Sequence, residues 1–101
     1  MDIQFIPEAA KDYKALDGNI KTLVNDKIEK LKENPFLGEE LGNKNNINLT
    51  GYYKIYIDKK RYRIVYRIVK NEIEIIEIWG IGKRDKMKVY KDVKRRISKR
   101  K

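Results

Sequence analysis

The sequence predicts an α+β fold in the order βααβββα. A small antiparallel sheet of about four strands carries a helical hairpin on one face, and a basic helix follows at the C-terminus. Three features point to this arrangement. Apolar residues recur at helical spacing between Pro7 and Glu33, alternate with polar ones from Tyr52 to Trp79, and return to helical spacing from Lys83 to Ser98. With 101 residues, 41% hydrophobic and 40% charged, the chain suits one compact domain, residues 1–101, beneath a densely charged surface.

Ile3, Phe5 and Ile6 make Asp2 to Ile6 a first strand, ended by Pro7, a residue well placed in the first turn of a helix. Glu8 and Asp12 sit where a helix N-terminus favours negative charge, and Ala9, Tyr13 and Leu16 form a stripe, so Glu8–Leu16 is a short helix. After the turn at Asp17–Asn19, the apolar series Ile20, Leu23, Val24, Ile28 and Leu31 gives a second helix to about Glu33, stopped by Asn34-Pro35. Phe36 to Asn48, with Gly38, Gly42 and four asparagines, reads as loop, and Ile47 to Thr50 begins the approach to the next strand.

The stretch from Tyr52 to Ile68 organises the rest. Side chains alternate along a strand, so Tyr53, Ile55 and Ile57 share a face with Tyr62, Ile64, Tyr66 and Ile68. The opposite face carries Tyr52, Lys54 and Tyr56, then Arg61, Arg63, Val65 and Arg67. Lys59 and Lys60 belong to the hairpin link. One face is built for a core, and the other gathers phenols and cations; like charges on paired strands repel, so an anion is expected to rest there. A turn at Val69–Asn71 leads to a third strand, Glu72 to Trp79. Its Ile75-Ile76 pair breaks the alternation and calls for a bulge or for cover on both faces. Gly80 and Gly82 close the sheet, and Met87, Tyr90, Val93 and Ile97 mark the apolar stripe of the last helix.

Composition removes several chemistries. The chain has no Cys and no His, which leaves no disulfide framework, no thiol–imidazole or Ser–His–Asp triad, no pair of histidines for RNA cleavage, and no usual zinc ligands. No cofactor or metal is expected, and proton transfer falls to Lys, Tyr, Asp or Glu. Met1–Gln4 lacks the basic start and apolar run of a secretory leader, and no apolar run approaches the ~20 residues of a membrane span, so a cytoplasmic protein without a membrane partner is expected.

The net charge of +10 is segregated. Residues 1–48 hold 7 basic and 9 acidic residues, whereas residues 49–101 hold 18 and 6. A lysine-rich solvated surface explains abundance but neither this segregation nor arginines on a strand face; a polyanion-binding surface explains all three. Single-stranded RNA fits, with Lys54, Arg61, Arg63 and Arg67 for phosphates and Tyr52 and Tyr56 for bases. Lys83, Arg84 and Lys86, read at the start of the last helix, oppose its dipole, a cost that a bound anion offsets. Lys54, Arg63 and Arg84 are expected to converge on one phosphate at the sheet edge. A lysine among cations is expected to have its pKa lowered toward neutrality, where a base is useful.

The patterns Gly51-Tyr-Tyr-Lys-Ile, Arg61-Tyr-Arg-Ile-Val-Tyr, and Ile81-Gly-Lys-Arg-Asp-Lys through Val89-Tyr90 resemble the RelE toxins of the RelE/ParE superfamily over nearly the whole chain. The resemblance implies a type II toxin that cuts mRNA in the ribosomal decoding site without metal, leaving a 2′,3′-cyclic phosphate, and that a cognate antitoxin neutralises. Carried over by position, it makes Lys54 a base or charge stabiliser, Arg63 the group on the transition-state phosphate, Arg84 a partner of the phosphate or leaving group, and Tyr90 a stacking or orienting residue. The family's second lysine, two positions after the first, is Tyr56 here. Lys59, Lys60 or Arg61 compensates, or Tyr56 itself takes part. Lys83 and Lys86 join the possible substrate contacts.

Two other readings share the fold: a gyrase-directed toxin of the ParE branch, whose members lack most of this Lys/Arg/Tyr set, and an RNA-binding module without catalysis. In either toxin reading the basic half of the chain is expected to attract an acidic antitoxin segment.

Overall fold

The structure is a computed structural model that describes residues 2–44, 46–70, 74–85 and 87–100. Its elements run β1 (Asp2–Phe5), α1 (Pro7–Lys14), α2 (Gly18–Glu33), β2 (Glu39–Glu40), β3 (Asn43–Lys44), β4 (Ile47–Asn48), β5 (Tyr52–Ile57), β6 (Tyr62–Lys70), β7 (Glu74–Lys83) and α3 (Lys88–Lys99). The α+β class holds, and the sheet is larger and more mixed than expected. Five strands follow the order β1-β7-β6-β5-β2, with β1 parallel to β7 and the other neighbours antiparallel. The parallel pair arises because the α1–α2 hairpin intervenes between β1 and the meander and carries the chain across the sheet. The segment read as loop contributes the edge strand β2 and the small β3–β4 ribbon. The turn expected at Val69–Asn71 and the start of the third strand fall partly on residues 71–73, outside the described residues.

Pro7 opens α1 with Glu8 in its first turn and Lys11 and Lys14 in its last, charges that suit the helix dipole at both ends. The α2 stripe of Ile20, Val24, Ile28 and Leu31 is buried, and Asn34 ends the helix in an extended conformation ahead of Pro35. The first sheet face meets this hairpin. Phe5, Ile78, Tyr66 and Tyr53 lie in one cross-strand row, and the Phe5 ring meets Tyr13 of α1 edge-on at 5.9 Å. Tyr66 is fully buried there. Its hydroxyl donates to the Pro35 carbonyl at 2.8 Å and accepts the Gly38 N–H at 3.0 Å, which ties the segment before β2 to the sheet.

The second face is covered by α3. A register shift between Val65 and Tyr66 leaves Trp79 in a bulge, and both faces of β7 are occluded around it; at Ile75-Ile76 itself the pairing with Val69 and Ile68 is regular, so the bulge posed there is absent and a bulge occurs instead at Trp79. Gly80 and Gly82 let the helix lie directly on the strand. A Cβ on Gly80 would stand 2.8 Å from Val93 Cγ2, and one on Gly82 2.7 Å from Val89 Cγ2. Arg96 then clamps α3 to α1. Its guanidinium donates to Asp12 Oδ2 and Oδ1 at 2.8 and 3.1 Å and to the Trp79 carbonyl at 2.9 Å, while Asp12 Oδ2 accepts the Ile81 N–H at 3.1 Å. Arg100 repeats the link with two bonds to Glu8, at 2.6 and 3.1 Å. No helix among the described residues is long and apolar enough to cross a membrane.

Two stability measurements test this packing. Asp12→Ala leaves a buried guanidinium and the Ile81 N–H without their acceptor, and should lower the urea unfolding free energy by about 3 kcal/mol. Gly82→Ala forces α3 away from the strand and should cost about 1–3 kcal/mol by the same assay.

Candidate active site

The register of three strands assembles the site. Tyr56 of β5, Arg63 of β6 and Gly82 of β7 lie in one row across the α3-facing side of the sheet. Because Gly82 has no side chain, α3 approaches closely enough for Tyr90 to cover Arg63. The Arg63 guanidinium carbon lies 4.5 Å from the centre of the Tyr90 ring and 5.6 Å from that of Tyr56, so two aromatic faces hold the cation. Arg63 is 8% exposed and Tyr90 6%. The Arg63 Nε and the Tyr90 hydroxyl are buried and have no hydrogen-bond partner among the described residues.

Tyr56 is the hub of the cluster. Lys54 Nζ donates to its hydroxyl at 3.0 Å. Lys60 Nζ and the Arg84 guanidinium carbon each stand 5.7 Å from its ring centre. Four cations, from β5, the β5–β6 link, β6 and the residue after β7, therefore surround one phenol. A carboxylate at the cluster is that of Glu39, which β2 places opposite Lys54 and whose oxygen lies 3.9 Å from Lys54 Nζ.

This geometry reverses the expected behaviour of the lysine. Its hydrogen bond to Tyr56 raises the Lys54 pKa, outweighing desolvation, with smaller help from Tyr90 and Glu39. The same hydrogen bond lowers the Tyr56 pKa, assisted by the charges of Lys54, Arg63 and Arg84 against a desolvation cost. Burial raises the Tyr90 phenol despite Arg63 and Lys54 nearby. Of Lys54, Tyr56 and Tyr90, the one moved toward neutrality is thus Tyr56.

The remaining sequence candidates form an apron beside the cluster. Lys59 and Lys60 occupy the β5–β6 link, where Asp58, Lys59 and Lys60 all have left-handed backbone angles. Arg61 is exposed and its Nε lies 3.2 Å from Asp58. Lys83, the last residue of β7, and Arg84 are exposed and share with Lys59, Lys60 and Arg61 the rim of an open cleft of ≈700 Å³. Lys86 lies outside the described residues.

Other expectations change. Tyr52 is buried against Trp79, with ring centres 5.5 Å apart, and so offers no base-stacking platform. Arg67 is bound to Glu77 at 2.6 Å beside the same tryptophan. The last helix begins at Lys88 and not at Lys83, so Lys83 and Arg84 precede it and oppose no dipole. Glu39 escaped the sequence reading because a two-residue strand leaves no periodic trace. Among the described residues no group of three or more carboxylates is placed to hold a metal ion.

Comparison with known proteins agrees with this architecture. Residues 3–87 match the family described as ParE toxin of type II toxin–antitoxin system, parDE. The mRNA interferase toxin RelE of Escherichia coli strain K12 is 25% identical over 95 residues, covering 94% of this chain and 95% of the relative. A mutant of E. coli toxin RelE in the free state superposes with a TM-score of 0.75 at 21% identity, over 95% and 96% of the two chains. The toxin of the intact E. coli RelBE toxin–antitoxin complex gives 0.69 at 20% identity, over 84% of this chain and 98% of the other. With the fold, the family match and these relatives in agreement, the chain belongs to the ParE toxin family of type II toxin–antitoxin systems, as a RelE-type toxin of the RelE/ParE superfamily.

Proposed function

We propose that this toxin is a ribosome-dependent endoribonuclease that cuts mRNA by attack of a 2′-oxygen on its own phosphodiester, leaving a 2′,3′-cyclic phosphate, with residues 1–101 acting as one toxin domain in the cytoplasm. The observation that carries the reading is the burial of Arg63 and Tyr90 with unpartnered polar atoms inside a cluster of cations. Such groups cost about 1–3 kcal/mol each when left unpaired, and a phosphate beside Arg84 and Lys60 supplies the negative charge that the Arg63 guanidinium lacks. The name of the E. coli relative, an mRNA interferase, supports RNA as the bearer of that phosphate.

The roles follow from chemistry. Arg63 lies over two rings and serves the non-bridging oxygens as charge builds on the pentavalent phosphorus. Arg84, exposed and across the Tyr56 ring, reaches the same phosphate from solvent. Lys54 contributes a fixed positive charge, because its raised pKa keeps it protonated at neutral pH. Tyr90 covers Arg63 with its ring and so orients the guanidinium. Lys59, Lys60, Arg61 and Lys83 line the path of the adjoining RNA backbone. The site is open and holds no ordinary strong base, so a ribosome that fixes the mRNA in an in-line pose would supply much of the missing barrier reduction. An antitoxin with an acidic segment is the expected inhibitor, in keeping with the RelBE complex.

A second reading has one observation in its favour: the matching family model is described by a ParE toxin, which raises a gyrase-directed activity. Cell-free translation separates the two. Cuts mapped to the decoding site by primer extension support the endoribonuclease; gyrase inhibition with intact mRNA supports the alternative. Arg84→Ala removes an exposed side chain and should leave the fold intact while lowering cleavage about 10²–10³-fold. Undiminished cleavage by that variant would remove Arg84 from the mechanism.

A further inference from the structure

We infer that Tyr56, acting as a phenolate paired with the Lys54 ammonium, is the proton acceptor for the attacking 2′-hydroxyl, in the place where RelE-type toxins carry a second lysine. The inference rests on the endoribonuclease reading above and adds the group that this reading leaves unassigned.

The geometry carries it. Tyr56 lies in the same cross-strand row as Arg63, the residue assigned to the phosphate, and so stands beside the reacting centre. Its hydroxyl is held by Lys54 Nζ at 3.0 Å, a charge-assisted bond that strengthens when the phenol ionises. The groups facing it come from every side. Lys54 shares its strand, Lys60 comes from the hairpin link, Arg63 from β6 and Arg84 from the residue just after β7. Asp26, Lys27 and Lys30 of α2 and Asp58 and Lys59 of the link line a cavity that Tyr56 also borders. Glu39 reaches the cluster through Lys54, and burial favours the uncharged form of the nearby Tyr90. Cations predominate, and the lowered Tyr56 pKa follows from them.

Lys54 is a poorer acceptor. It already donates to Tyr56, and its proton is bound more firmly than usual. A guanidinium offers five donors and no acceptor, which removes Arg63 and Arg84 as candidates. Glu39 is strongly exposed and touches the cluster only at 3.9 Å from Lys54. The proton balance is complete with water alone. The 2′-hydroxyl proton passes to the Tyr56 phenolate oxygen as the 2′-oxygen bonds to phosphorus. The bond from phosphorus to the 5′-oxygen breaks, and that oxygen takes a proton from solvent. Tyr56 then returns its proton to solvent and regains the ion pair with Lys54.

The test is single-turnover cleavage of mRNA on programmed ribosomes between about pH 6 and 9, with an acid limb that rises about tenfold per pH unit in the unaltered toxin. Tyr56→Phe keeps the ring and its cation contacts; it should cleave about 10²–10⁴-fold more slowly and lose that limb, with an unchanged thermal midpoint. Site-specific 3-fluorotyrosine at position 56, a more acidic phenol, should move the limb to lower pH, which a purely structural role would not do. A signal independent of activity comes from ¹³Cζ-tyrosine NMR of the free protein: Tyr56 should titrate below an ordinary tyrosine, and well below Tyr66, whose burial pushes it up to about 12. Cleavage by Tyr56→Phe with the wild-type pH profile, whether at full or reduced rate, overturns the assignment of the base and leaves the endoribonuclease reading standing. An unmoved limb in the fluorotyrosine protein does the same. Absence of cleavage by the unaltered toxin at every pH overturns both.

Discussion

The close approach of α3 to the sheet is the constraint on which the candidate site depends. Strands β5 and β6 by themselves present Lys54, Tyr56 and Arg63 as neighbours on a solvated face, where a flexible guanidinium would have little reason to hold one pose. The helix changes that environment. Gly80 and Gly82 admit it to van der Waals distance of the backbone, and the Arg96–Asp12 pair fixes it there. Tyr90 then closes over Arg63 and removes it from water. A charge desolvated without a carboxylate partner is held at a cost, and that cost makes the position selective for an anionic ligand.

The molecule separates its arginines by task. Arg96 and Arg100 are tied to Asp12 and Glu8 and hold the helix in place, and Arg67 is tied to Glu77 beside Trp79. Arg63 and Arg84 have no carboxylate within ion-pair distance among the described residues. The same residue type therefore serves as a structural clamp at one end of the α3-covered face and, in the proposed function, as a phosphate-binding group at the other. What distinguishes the two sets is whether an acidic side chain from the first half of the chain, or from β7, reaches them.

Much of this organisation was legible in the residue pattern. The alternation from Tyr52 to Ile68 correctly separated a core face holding Ile64 and Tyr66 from a face holding Lys54, Tyr56 and Arg63, because strand side chains have a period of two whatever covers them. The α1–α2 hairpin was legible from its stripe and from the two prolines that bound it. The parallel pairing of β1 with β7, the edge strand β2 and the true start of α3 were not. Short strands carry too few residues for periodicity, and a helix start without a side-chain cap leaves no local mark. Tyr52 was misplaced for a related reason: the pattern put it on the correct face, but burial there depends on Trp79, which a bulge turns toward it.

The sequence alone determined which chemistries are available: without histidine or cysteine, proton transfer must use lysine, tyrosine or a carboxylate, and a basic second half directs the surface toward polyanions. It also determined which residues share a face, since that follows from local backbone geometry. Only the tertiary structure decided how those residues behave. The hydrogen bond from Lys54 to Tyr56, the stacking of Arg63 between two rings and the reach of Glu39 to Lys54 are products of register and helix docking. Protonation depends on the field and solvation at an atom, and both are set by neighbours distant in the chain. For that reason the pattern of residues pointed to a lysine as the group shifted toward neutrality, and the assembled site points to a tyrosine.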